Sequence, residues 1–119
     1  MAIKNRGMMG QVKDFSTLPV GATDVDGMIE WHNRCFIFME SKFGDKELPL
    51  GQRLALERVV KALSKPSIVF IGTHESPIGQ DIDYGNLIVR EYYFNGKWDK
   101  YDKPILMCDA VRAFLKGYG

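Results

Sequence analysis

"CFIFMESKF", residues 35–43, decides how the rest of the chain is read. Successive side chains of a strand point to opposite faces, so a run that is apolar at both odd and even positions up to Met39 belongs inside a sheet covered on both sides. That requirement gives the fold class: α/β, a mixed central β-sheet flanked by helices. The run then passes, without a turn, into Glu40, Ser41 and Lys42. A buried strand that ends on a carboxylate and an ammonium needs a reason.

The preceding segment supplies one. In "TDVDGMIEW", residues 23–31, residue types alternate with period two, the pattern of a strand. If His32, Asn33 and Arg34 form a three-residue hairpin loop, Trp31 faces Cys35, Met28 faces Phe38, Asp26 faces Glu40 and Asp24 faces Lys42. Side chains directly across an antiparallel pair lie about 5 Å apart, so two carboxylates there repel unless something positive lies between them. A hard dication such as Mg²⁺, with Mn²⁺ as a substitute, takes one or two carboxylates, carbonyl oxygens and waters. Lys42, two residues beyond Glu40, shares its face and can hold a water or a phosphate beside the ion. Asp24 is the competing first ligand, or an acid paired with Lys42.

Downstream, "GQRLALERVVKALS" sets Leu56, Val59, Val60 and Leu63 at helical spacing, with a helix from Gln52 to Leu63 that Pro66 stops. Gln52, four residues before Leu56, turns its amide toward the sheet. "SIVFIG" is a buried strand, and residues 73–85 read as a long polar loop. "NLIVREYYF", Asn95-Gly96 and "KWDKY" form a second hairpin, because Asn-Gly suits a two-residue turn. A last helix spans about Asp109 to Lys116, with Asp109 as N-cap. The expected sheet has residues 35–42 as its central strand and the Gln52 helix on one face.

An acid, then an apolar strand ending in Glu-x-Lys, then a helix, resembles the active-site core of the PD-(D/E)XK nuclease superfamily, which includes restriction enzymes, phage endonucleases and Holliday-junction resolvases. The resemblance rests on Asp26 in "DVDG" and on Glu40 and Lys42 in "FMESK", and covers residues 23–72. It implies a restriction-endonuclease-like core and a Mg²⁺-dependent deoxyribonuclease. Asp26, Glu40 and the Ser41 carbonyl would hold the metal, and Lys42 would position the attacking water. Gln52 is similar to the helix glutamine of some members, although Leu56 stands where a tyrosine often follows, and Val25 replaces the usual proline before the acid. DNA is the implied partner, branched or junction DNA among the substrates. A small catalytic core leaves specificity to substrate shape, a second subunit or a protein partner.

Composition bounds these readings. The chain has 119 residues, 45% hydrophobic, which is one domain with one core; residues 1–21 read as an irregular N-terminal segment. No apolar run reaches the roughly 20 residues of a membrane span and Met1 to Gly10 lack a signal-like centre, so the expected location is cytoplasmic. Sixteen basic against fifteen acidic residues leave a net charge of +1, which decides nothing about nucleic acid. Cys35 and Cys108 lie in apolar runs and read as reduced core residues. "THESP" puts Ile78 where HExxH needs its second histidine, which excludes a zinc protease of that type. Asp81 and Asp83 read as loop solvation, Glu30 and His32 as residues near the turn. The aromatics of "EYYFNGKWDKY", alternating with lysines, fit a core face better than a base-stacking surface. The alternative to an enzyme is a non-catalytic nucleic-acid or protein-binding module in which Glu40 and Lys42 are an ion pair.

Overall fold

A computed structural model of the chain describes residues 17–20, 22, 25–75 and 83–119. Strands β1 (Gly27–Trp31) and β2 (Cys35–Phe43) form the first hairpin, with Trp31 opposite Cys35, Met28 opposite Phe38 and Gly27 opposite Met39. The three-residue loop closes through Arg34 N–H donating to the Trp31 carbonyl at 2.7 Å. His32 and Asn33 take positive φ, 49° and 58°, and Glu30 secures the turn by accepting from Asn33 N–H at 2.6 Å. The ladder begins at Gly27, so Asp26 precedes the strand and does not lie within it; residues 23 and 24 are outside the described ones.

Helix α1 (Leu50–Ala62) carries the chain from β2 to β3 (Ser67–His74), which pairs parallel to β2. Strand β4 (Ile88–Phe94) runs antiparallel to β3, and Asn95 and Gly96, with φ of 52° and 81°, turn it into β5 (Lys97–Asp99). The sheet order is β1-β2-β3-β4-β5. Its middle strand is therefore β3, not the 35–42 strand expected at the centre, because the second hairpin adds two strands beyond β3. Strand β2 is still interior. The expected loop at 73–85 is shortened at both ends: β3 runs on to His74, and Tyr84–Asn86 form a single 3-10 turn.

Alternation sorts the side chains into two layers. Phe38, Val69, Ile71 and Tyr93 meet Leu56 of α1 on one face. Ile37, Phe70 and Val89 meet the helix α2 (Met107–Tyr118) through Met107, Ala110 and Phe114 on the other. Each large apolar side chain so buried contributes about 1.5–3 kcal/mol. The α2 helix starts earlier than its charge pattern indicates. Met107 N–H donates to the Leu87 carbonyl at 2.7 Å and Leu106 stands at the N-cap, which leaves Asp109 in the first turn, 2.9 Å from Arg112. Backbone bonding to the β4 entry thus outweighs the capping preference of Asp109.

One further feature holds each face. Arg53 of α1 bonds Glu91 of β4 at 2.6 Å and lies 4.2 Å above the Trp98 ring, whose indole N–H reaches Glu57 at 2.7 Å. The register shifts between Ile71 and Gly72, leaving Arg90 out of the pairing, and a Cβ on Gly72 would lie 3.0 Å from Leu87 Cβ. The aromatics of the second hairpin serve packing: Tyr93 lies against Trp98 and Tyr92 against Tyr101. Both cysteines are free, Cys35 fully buried. Among the described residues no helix is long and apolar enough to cross a membrane.

Candidate functional site

The site forms where β1 ends and β2 continues. Beyond the Gly27–Met39 pair, β2 has no ladder partner on its β1 side among the described residues, and the Asp26 side chain takes that place. Its Oδ2 accepts from Ser41 N–H at 2.9 Å and from the Ser41 hydroxyl at 3.1 Å. In return, Asp26 N–H points to Glu40 Oε1 at 3.3 Å. Strand parity alone would direct the Asp26 carboxylate to the Glu40 face. Its place before the strand lets it bend instead into the sheet's edge, touching Ser41 and Glu40 both. N–H and C=O of one strand residue point to the same flank, so the Ser41 carbonyl is directed toward the side on which Asp26 lies.

Glu40 is 1% exposed and, with Glu91, is one of two buried charged groups among the described residues. Burial raises its carboxyl pKa first, the negative charge of Asp26 raises it further, and the bond from Asp26 N–H and, less, nearby Lys42 only partly offset them; the result is about 7. Glu40 thus holds its proton to far higher pH than an ordinary carboxyl and can donate it to Asp26. For Asp26, burial also raises the pKa, but the hydrogen bonds from Tyr84, Ser41 and Glu40 outweigh it and hold the carboxyl below its ordinary value. The two acids are thus pushed in opposite directions, Asp26 toward the carboxylate and Glu40 toward the carboxyl.

Lys42, on the Glu40 face, sends its ammonium to Gln52 Oε1 at 3.4 Å. The structure therefore brings Asp26, Glu40, Ser41, Lys42 and Gln52 together at one end of the sheet, from β2, α1 and the residue that precedes β1. It does not bring Glu30 there, which serves the hairpin turn. Asp83 accepts from Gly85 N–H at 3.0 Å and from the Asn86 side chain at 3.1 Å, so it organises the 3-10 turn and is not merely solvated. Asp24 and Asp81 lie outside the described residues.

Tyr84 is the residue the sequence reading missed. Its hydroxyl is 2.6 Å from Asp26 Oδ2 and 3.0 Å from Ser41 Oγ, and burial together with the bond to Asp26 raises its pKa. The available signal was a single aromatic among the polar residues of "DIDYGN", an anchor in a segment with few other reasons to be held.

A dication fits this donor set by charge: it would replace the proton shared by Asp26 and Glu40, with the Ser41 carbonyl as a further oxygen. Among the described residues, no three His, Cys, Asp or Glu side chains cluster as a metal site, and Asp26 and Glu40 are the two carboxylates brought together here. Comparison with protein families, with curated proteins and with solved structures finds no match to this chain.

Proposed function

We propose that the protein is a metal-dependent endonuclease that hydrolyses DNA phosphodiester bonds on a restriction-endonuclease-like core. The observation that carries the reading is the Asp26–Glu40 carboxylate pair with Lys42 and Gln52 beside it on one strand end. A dication bound to Asp26, Glu40 and the Ser41 carbonyl would supply positive charge against the charge that grows on the phosphate. Glu40 would hold the ion as the carboxylate. Lys42 cannot ligate a cation, but its ammonium has three N–H donors, and the bond to Gln52 occupies one. The others can hold the attacking water or a non-bridging phosphate oxygen. Gln52 thereby fixes the direction of the Lys42 head group, and the α1 helix fixes Gln52.

The test is incubation of plasmid and branched DNA with Mg²⁺ or Mn²⁺, using wild type, Glu40→Ala and Lys42→Ala. Cutting by the wild type alone is expected. No cutting by any of them, with DNA still bound, would leave a binding module on the same fold.

A further inference from the structure

We propose that Tyr84 is a positioning residue that aims the Asp26 carboxylate and thereby sets the cation affinity of the Asp26–Glu40 pair; this rests on reading that pair as a cation site. Asp26 stands outside the ladder and is exposed, so its own backbone does little to fix its side chain. Three donors converge instead on one oxygen: Oδ2 receives the Tyr84 hydroxyl, the Ser41 amide and the Ser41 hydroxyl. Oδ1 takes none of these three, and it is the oxygen that would face the cation.

The hydrogens can be assigned. Tyr84 has one hydroxyl proton and two acceptors within reach, Asp26 Oδ2 at 2.6 Å and Ser41 Oγ at 3.0 Å. The carboxylate is both nearer and charged, so the proton goes there. Ser41 then uses its own hydroxyl proton toward Asp26 Oδ2 at 3.1 Å.

Tyr84 is itself held firmly. Its ring packs against the core under α2 and its backbone belongs to the turn that the Asp83 carboxylate ties at two points. The hydroxyl therefore connects the α2 side to a carboxylate that precedes β1. Partners of this kind orient metal-binding carboxylates, and their loss typically costs 10–100-fold in affinity. Tyr84→Phe removes only the hydroxyl and leaves the ring in place.

Mn²⁺ is titrated calorimetrically into wild type, Tyr84→Phe, Asp26→Asn and the double variant, with urea unfolding in EDTA as the fold control. The expected result is a roughly 10-fold weaker Mn²⁺ affinity in Tyr84→Phe, with no further loss from Tyr84→Phe in the Asp26→Asn background. In metal-free protein, the Asp26 carboxyl followed by carbon NMR should titrate at higher pH in Tyr84→Phe, a change that lost packing alone would not cause. Wild type and Tyr84→Phe binding Mn²⁺ equally would overturn the positioning role while leaving the cation site intact. A wild type that binds no Mn²⁺ would instead overturn the cation reading, and the link from Tyr84 to affinity with it.

Discussion

Glu40→Gln should make the metal-free protein more stable at pH 8 and change it little at pH 4.5. In the folded chain the Glu40 carboxyl titrates near 7, against an ordinary value of 4.5, chiefly because it is buried and next because Asp26 is beside it. A carboxyl whose folded pKa is raised binds its proton more tightly in the folded than in the unfolded state. Stability therefore falls as pH rises from the unfolded value to the folded one and is level outside that window. The displacement from 4.5 to about 7, at about 1.4 kcal/mol per pH unit, amounts to about 3 kcal/mol. The glutamine side chain that replaces the carboxyl cannot ionise, keeps nearly the same volume, and can still donate through its amide toward Asp26. The lowered pKa of Asp26 acts in the other direction but below its ordinary 3.8, outside this window. Urea unfolding of both proteins in EDTA, from pH 4.5 to 8.5, measures the difference. Stability curves that stay parallel across that range would refute the buried, mutually repelling pair. In a thermal scan about 3 kcal/mol corresponds to a shift on the order of 10 °C for a domain of this size.

Lys42→Ala should abolish DNA cleavage yet bind Mg²⁺ as tightly as wild type or slightly more so, since a neighbouring positive charge is gone; Asp26→Ala and Glu40→Ala should lose both, as calorimetry paired with a cleavage assay will show. Arg53→Leu should cost about 3 kcal/mol in urea unfolding by leaving Glu91 buried without its partner, and adding Glu91→Leu should recover most of that loss. Gly72→Ala should destabilise by about 1–3 kcal/mol, because the new methyl meets Leu87 Cβ at 3.0 Å and Met107 Cε at 3.1 Å, and near-normal unfolding would show that the β4 entry can yield. Replacing Lys97 and Lys100 with Ala should weaken DNA binding at low salt and flatten its salt dependence, with unchanged affinity assigning both to ordinary solvated surface.

The first hairpin was legible because its loop length and its apolar alternation both specify one register, and a strand has only two faces to choose between. The α1 and β3 elements were legible from helical spacing and a continuous apolar run, although of the expected α1 stripe only Leu56 is buried and Val59 is exposed. Strand order was not, since nothing local in "NLIVREYYF" states which neighbour it pairs with, and that pairing moved the centre of the sheet to β3. The start of α2 was hidden because a backbone bond from Met107 to Leu87, twenty residues away, determines it. At the site, Glu40, Lys42 and Gln52 could be found by spacing along one strand and one helix. Tyr84 could not, because its hydroxyl meets Asp26 only after the sheet and the 3-10 turn have both formed, 58 residues apart in sequence.

The His32–Arg34 loop shows how a surface turn can restrict the changes a chain tolerates. Exposed hairpin tips are ordinarily where insertions and deletions accumulate at little cost. Here the loop's odd length fixes the register of β1 on β2, from Trp31 opposite Cys35 to Gly27 opposite Met39, and with it where Asp26 meets β2. Adding or removing one residue would shift every partner by one, turning Ile29 from the core and carrying Asp26 away from the Ser41 amide that it now bonds. Single-residue length changes at this tip should therefore be as damaging as substitutions within the carboxylate pair, although the tip lies at the opposite end of the hairpin from it. A library of loop-length variants would show that constraint as a gap beside an otherwise permissive surface.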